Sequence, residues 1–219
     1  MIRPIWFLIF FFVLMTITMA TQCRKEYNEP AKYNFRELVN LFPAKKTYNV
    51  NDTIFISFKT NSKTLFDFLS NQRLSSTSVK FIFGATILPK YSTPINPTGG
   101  FCTFILPPGV VGNYYSSQSG TNSYFQVDCD SLSGYDIKIG VILKYSGIYV
   151  LNLPDGILLA PCNGQTNPYT SSFLQFTYNL ADCNKDIYLS IPSANRKEYP
   201  TGFTEAQIDF KVAYAFNVQ

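Results

Sequence analysis

The sequence predicts an all-β protein, an antiparallel β-sandwich carried behind an export leader. Three observations predict it. Apolar and polar side chains alternate with a period of two along much of the chain. Gly, Pro and Asn clusters punctuate the alternating stretches. Of the 219 residues only 15% are charged, against 46% apolar and 16% aromatic. That balance excludes a disordered chain, a coiled coil and a highly charged nucleic-acid binder. The chain also contains no histidine, so Ser-His-Asp, Cys-His and His-ligated zinc chemistry are excluded.

The leader comes first. Arg3 precedes an unbroken apolar run from Ile5 to Met15, and Thr16 to Ala20 are small and mixed. The run falls short of the ~20 apolar residues a spanning helix needs and suits the core of a signal peptide. A retained anchor helix reaching Ala20 is the alternative. Residues 1–22 read as signal peptide, 23–44 as a tether and 45–219 as one sandwich domain. Two maturation routes stay open. Thr18-Met19-Ala20 suits cleavage after Ala20, whereas Cys23 suits lipid modification of the first mature residue. Cysteine parity favours the lipid. There are five cysteines, and assigning Cys23 to a lipid leaves Cys102, Cys129, Cys162 and Cys183 to pair without remainder in an oxidising compartment.

The tether read over Arg24 to Ala44 includes one possible helical turn at Asn34–Asn40. Alternation then takes over. Ile54, Ile56 and Phe58 share one face of a strand, as do Val79, Phe81 and Phe83. Between them Thr64–Arg73 is the best helix candidate, with Leu65, Phe68 and Leu69 on one side. Residues 84–122 are rich in Pro and Gly and read as mostly irregular, and long irregular loops in compact domains are usually functional or disordered. Strands resume at Tyr124–Val127, Tyr135–Leu143, Ile148–Leu153, Ser172–Tyr178, Ile187–Ile191 and Ile208–Val218. This series of short strands with turns between them argues for a sandwich.

Two stretches carry resemblances. Cys23-Arg24-Lys25-Glu26-Tyr27 behind the leader resembles the mature start of Bacteroidetes envelope lipoproteins, some of which reach the cell surface. Pro43-Ala44-Lys45-Lys46-Thr47-Tyr48-Asn49-Val50-Asn51-Asp52-Thr53-Ile54 resembles the opening strand-turn-strand of uncharacterised members. Asn51 stands where those members carry glycine, and Asn is the next-best residue at a positive-φ turn position. The resemblance implies an exported, lipid-anchored protein of the cell envelope, at the outer membrane, and no activity. Ser146-Gly147-Ile148-Tyr149 is similar to the Gly-x-Tyr corner of immunoglobulin-like folds, where the tyrosine hydroxyl ties a corner to the backbone. An ordinary strand aromatic at Tyr149 is the alternative. The fold expectation is thus an immunoglobulin-like antiparallel β-sandwich.

Four cysteines allow three connectivities. Sequential pairing, Cys102 with Cys129 and Cys162 with Cys183, would staple the two irregular segments locally. Tyr91, Tyr114, Tyr115, Tyr124 and Tyr169 lie in or beside the loops and could stack on a sugar or anchor a protein contact; packing back onto the sandwich is the alternative. Asp128-Cys129-Asp130 followed by Gly134 and Asp136 fails the calcium-loop pattern at Leu132 and Ser133. A glycosidase pair drawn from Asp128, Asp130, Asp155, Asp182 and Asp186 has no legible geometry. Residues 24–90 are net basic and 91–219 net acidic, so a tether-side surface could face anionic headgroups.

The sequence therefore predicts no catalytic residues, no metal, no cofactor and no nucleic-acid partner. It points to a non-catalytic, lipid-anchored envelope protein whose loops serve binding, adhesion or an accessory role in a complex. Its membrane contact would run through the lipid at Cys23, and its ligand would be a protein or a glycan. A glycan-binding module built on the loop tyrosines is the first alternative, and a hydrolase using acids alone the last.

Overall fold

Strand alternation sets the architecture. The structure, a computed structural model, describes residues 32–90, 100–109, 113–117, 120–154, 156–166, 168–169, 171–196 and 205–219, without the side chains of 113–117 and 194–195. The leader, residues 23–31 of the tether (Cys23 among them), Tyr91 and Asp155 lie outside the described residues.

The strands in chain order are β1 (Asn34–Phe42), β2 (Thr47–Tyr48), β3 (Thr53–Lys59), β4 (Thr64–Asp67), β5 (Gln72–Ser75), β6 (Val79–Pro89), β7 (Cys102–Ile105) and β8 (Asn113–Ser117). There follow β9 (Gly120–Val127), β10 (Asp136–Leu143), β11 (Gly147–Asn152), β12 (Ile157–Leu158), β13 (Ala160–Pro161), β14 (Phe173–Tyr178) and β15 (Ala213–Val218). Short helices α1 (Lys185–Ser190), α2 (Ser193–Arg196) and α3 (Glu205–Asp209) separate the last two strands. The first sheet runs β12-β14-β1-β3-β10-β7, with the β4–β5 hairpin attached to β1. The second runs β2-β15-β11-β6-β9-β8, with β13 on β6. This is the expected β-sandwich, with two joins that are not antiparallel: β1 pairs with β14 and β15 with β2 in parallel.

The inner faces meet through aromatic rings. Phe58 of β3 and Phe83 of β6 pack edge-on against Phe176 of β14 at 5.3 and 5.0 Å. Ile54, Ile56, Ile139 and Val141 fill the first sheet's inner face and Ala85, Ile87, Val150 and Leu151 the second's. Each large side chain buried this way contributes roughly 1.5–3 kcal/mol.

Four expectations are corrected. Asn34–Asn40 is neither tether nor helical turn but most of β1, with Phe35, Glu37, Val39 and Leu41 facing inward in strict alternation. The domain thus begins well before residue 45. Thr64–Arg73 is a hairpin: Leu65 is buried while Phe68 and Leu69 are exposed, so the three do not share a helical face. Asn71 takes a left-handed φ of 56° to close its turn. Residues 187–190 belong to α1, with Ile191 just after it as the C-cap, and Ile187 and Tyr188 are buried where α1 packs against β15. The final strand starts at Ala213, because α3 and a left-handed Lys211 precede it. The segment from 84 to 122 also holds more strand than expected, since β6 runs on to Pro89 and β7, β8 and the start of β9 follow.

The cysteine pairing differs as well. Cys129 bonds to Cys162, not to Cys102, with Cα atoms 5.9 Å apart, within the ordinary span of a disulfide. The reason is β6. It pairs with β9 through Phe81↔Val127 and with β13 through Val79↔Pro161, which brings the residues just after each strand together. Cys102 and Cys183 are instead buried thiols, Cys102 opposite Leu143 on β7 and Cys183 beside β15.

The turn read at Asn51 is present, with φ 72° at that residue and the Asp52 carboxylate accepting from the Asn49 N–H at 3.0 Å. The Tyr149 hydroxyl lies 3.5 Å from the Ser146 carbonyl, a long contact. Tighter tyrosine ties occur elsewhere: Tyr48 donates to the Pro43 carbonyl and Tyr214 to the Lys45 carbonyl, each at 2.6 Å. Together they pin the segment leaving β1 against the second sheet.

Candidate functional site

Among the described residues the loop tyrosines fall on separate elements. Tyr169 is buried; its ring packs edge-on against Phe35 at 4.9 Å and Tyr33 at 5.1 Å, and its hydroxyl donates to the Ser75 carbonyl. It is a core residue, which corrects its reading as a ligand contact. Tyr124 lies across from Gly84, with its hydroxyl 3.2 Å from that of Thr86. Tyr114 and Tyr115 lie on β8, in register with Ser123 and Asn122, and Tyr91 is outside the described residues.

The carboxylates are engaged one by one. Asp130 pairs with the buried Lys63 ammonium at 2.6 Å, Asp186 with Lys46 at 2.7 Å, and Asp182 accepts from the Asn184 N–H at 2.9 Å. Among the described residues no group of three His, Cys, Asp or Glu could hold a metal ion. The two thiols are held neutral by burial, which pushes Cys183 up to about 11 and Cys102 well above its ordinary value. Burial likewise pushes the Lys90 ammonium at the end of β6 down to about 7, a perturbed group that composition and spacing gave no means of finding.

What the fold does assemble is the outer face of the first sheet. Outward positions on a strand alternate with core positions, so β1 presents Arg36, Leu38, Asn40 and Phe42 to solvent. Register extends this into a row. Phe42 lies opposite Phe55 on β3, Phe55 opposite Gly140 on β10, and Gly140 opposite Ile105 on β7. Phe42 is 72% exposed and Ile105 45%. Gly140 holds the row together by lacking a side chain. A Cβ there would lie 3.1 Å from the Ile105 Cβ and 3.2 Å from the Phe55 ring, so both lean over the glycine. Lys138 sits with its ammonium 4.0 Å from the centre of the Phe55 ring. Lys59 and Asp136 neutralise each other at 2.7 Å beside it.

A second apolar cluster sits at the other end of the same face. Leu158 on β12 is opposite Phe173 on β14, Phe173 is opposite Asn34 on β1, and the Asn34 carbonyl accepts from the Phe68 N–H at 2.8 Å. Leu158, Phe173, Phe68 and the adjacent Leu69 are all exposed. Two buried carboxylates rivet the hairpin that carries Phe68 and Leu69. Glu37 accepts from the Phe66 N–H at 2.8 Å and takes both guanidinium arms of Arg73 at 3.1 Å. Asp67 accepts from the N–H groups of Asn34 and Ser70 at 2.8 and 2.9 Å. Burial alone would raise the Asp67 carboxyl, but these hydrogen bonds outweigh it and hold it below the usual carboxylate range.

No protein-family model matches the sequence, and no curated protein matches it. Solved structures similar to the chain include the human F-spondin reeler domain, at 8% identity and a TM-score of 0.37, covering 90% of this chain and 99% of that one. Another is the seventh ScaB type I cohesin of Pseudobacteroides cellulosolvens, at 14% identity and a TM-score of 0.34, covering 66% of this chain and 88% of that one. A type II cohesin domain from the cellulosome of Acetivibrio cellulolyticus follows, at 12% identity and a TM-score of 0.30, covering 64% and 91%.

Proposed function

We propose that this chain is an exported, non-catalytic binding domain, and that a protein partner docks on the Phe42–Phe55–Ile105 row. The observation that carries the reading is that row itself. Three large apolar side chains stand in register across the outer face of four neighbouring strands, closed up over a glycine. Scattered exposed apolar residues need no explanation, whereas a contiguous row marks an interaction surface. The cation beside the row, Lys138, favours a partner with an apolar centre and a carboxylate at its edge.

Export is supported by the leader and by the disulfide, a bond that persists in oxidising compartments. Lipid attachment at Cys23, and with it an outer-membrane location, is the proposed mode of anchoring. Mass spectrometry of the mature N-terminus tests that part alone, since a free Thr21 amine removes the lipid.

Carbene footprinting tests the docking surface. Labelling of Phe42, Phe55 and Ile105 is compared between the purified protein and the protein in its native envelope. Protection of the row in the envelope, with Gln126 on the outer side of β9 labelled equally in both, is the expected outcome. Equal labelling of the row in both settings would remove the reading.

A further inference from the structure

We propose that the Phe68–Leu69 hairpin tip, with Phe173 and Leu158 beside it, is a contact surface for an anionic lipid bilayer. The inference is independent of the docking row, which lies at the far end of β1. Eight residues separate Asn34 from Phe42, about 27 Å of strand.

Exposure of the tip is enforced. Phe68 is 53% and Leu69 60% exposed, at a turn closed by left-handed Asn71. The fold buries two carboxylates, Glu37 and Asp67, to fix that turn against β1. A hairpin held this firmly presents its two apolar side chains outward in one arrangement. Leu158 and Phe173 continue the apolar surface across β12 and β14. Contiguous exposed apolar area of this kind marks a protein or membrane contact.

Charge and chain direction favour the membrane. The hairpin's one carboxylate, Asp67, and Glu37 on β1 are buried and hydrogen-bonded, and the charges described beside the tip are cations. Arg36 lies 3.9 Å over the Phe68 ring, and Lys32 sits beside Tyr33. Apolar side chains flanked by cations suit the boundary between acyl chains and anionic headgroups. The described chain enters β1 at Asn34, at this same end. A lipid on Cys23 or a retained leader would hold the tip near a bilayer. The tip would then supply the second contact that a single lipid chain needs for stable binding.

Trp6 is the only tryptophan, so Phe68→Trp in a Trp6→Phe, Cys23→Ser chain gives a single reporter with no N-terminal lipid. Phosphatidylcholine vesicles with phosphatidylglycerol should shift its emission to the blue, and nitroxide-labelled lipid should quench it. Phosphatidylcholine alone should do so roughly tenfold more weakly at low salt. Phe210→Trp, an exposed position next to Lys211 at the opposite end of β14, should show neither effect. In vesicle sedimentation the Phe68→Ser, Leu69→Ser variant should lose about tenfold or more in partition, with unchanged far-ultraviolet circular dichroism. Three results would overturn the proposal: an emission at position 68 indifferent to anionic vesicles, equal quenching at 210, or partition that survives the double serine change. Protection of Phe68 by a protein in the envelope without any vesicle effect would likewise assign the tip to a protein.

Discussion

Removing the Cys129–Cys162 bridge is the perturbation whose size the structure fixes best. The bond closes a sequence separation of 33 residues. On the chain-entropy account a loop of that size removes about 4 kcal/mol of unfolded-state freedom. Two local effects add to this. The segment after Cys129 carries Asp130, which holds the buried Lys63 ammonium at 2.6 Å, and Lys63 also stacks on Tyr135 at 4.3 Å. Cys162 donates its backbone N–H to the Ser78 carbonyl at 2.9 Å, anchoring β13 on β6. A Cys129→Ser, Cys162→Ser chain should lose about 4 kcal/mol in urea denaturation followed by circular dichroism, with a melting point lower by on the order of 10 °C. Dithiothreitol should bring the wild-type chain to the same place. A loss under about 1 kcal/mol, or a non-reducing peptide map joining Cys102 to Cys129, would refute the reasoning.

The other predictions concern buried groups and a tight glycine. Glu37→Ala leaves the Phe66 N–H and the Arg73 fork without their acceptor, and should cost about 2 kcal/mol in the same denaturation assay. Gly134→Ala would put a Cβ 2.1 Å from the Thr60 carbonyl oxygen, a backbone atom that cannot swing aside. It should cost about 1–3 kcal/mol. The pH dependence follows from acids whose protons the fold retains. Cys183 is raised from 9.0 to about 11 and Tyr149 from 10.0 to about 12, in each case first by burial. A raised acid contributes stability in full below its unfolded value and loses it as pH climbs through its folded value. Stability should therefore fall from about pH 9 upward to about pH 12, read as a falling urea midpoint. Cys102 and Cys183 should react with a thiol reagent only on unfolding.

The strands that were legible share one property: every inward position is apolar. Ile54, Ile56 and Phe58, or Ile137, Ile139 and Val141, announce their face unaided. β1 hid because Glu37 occupies an inward position and Leu38 an outward one, so its sequence mixes the two faces. Glu37 faces inward because Arg73 and the Phe66 N–H wait for it, partners supplied by a hairpin some thirty residues away. That hairpin hid in turn, since Leu65, Phe68 and Leu69 mimic a helical stripe, while the Asp67–Ser70 turn that breaks it is decided by hydrogen bonds from β1 and from Ser70 to the Asp67 carboxylate. The final helices intrude where alternation was read through residues 187–191 and 208–212, because short helices and strands look alike over five residues. The docking row was beyond reach for a simpler reason. Its members come from β1, β3, β10 and β7, and only the register between strands places them side by side.

Two surfaces at opposite ends of one sheet face give the proposal a direction, with lipid at the end where the chain enters and a partner on the row beyond Leu38. The row is the central claim, and photo-crosslinking tests it most directly. A photoreactive residue at Ile105, with a second variant at Phe42 and a third at Gln126 on the other sheet, is irradiated in cells producing the protein. The account expects positions 105 and 42 to yield the same discrete protein adduct and position 126 to yield none. Adducts of equal intensity at all three positions, or none at 105 and 42, would contradict it.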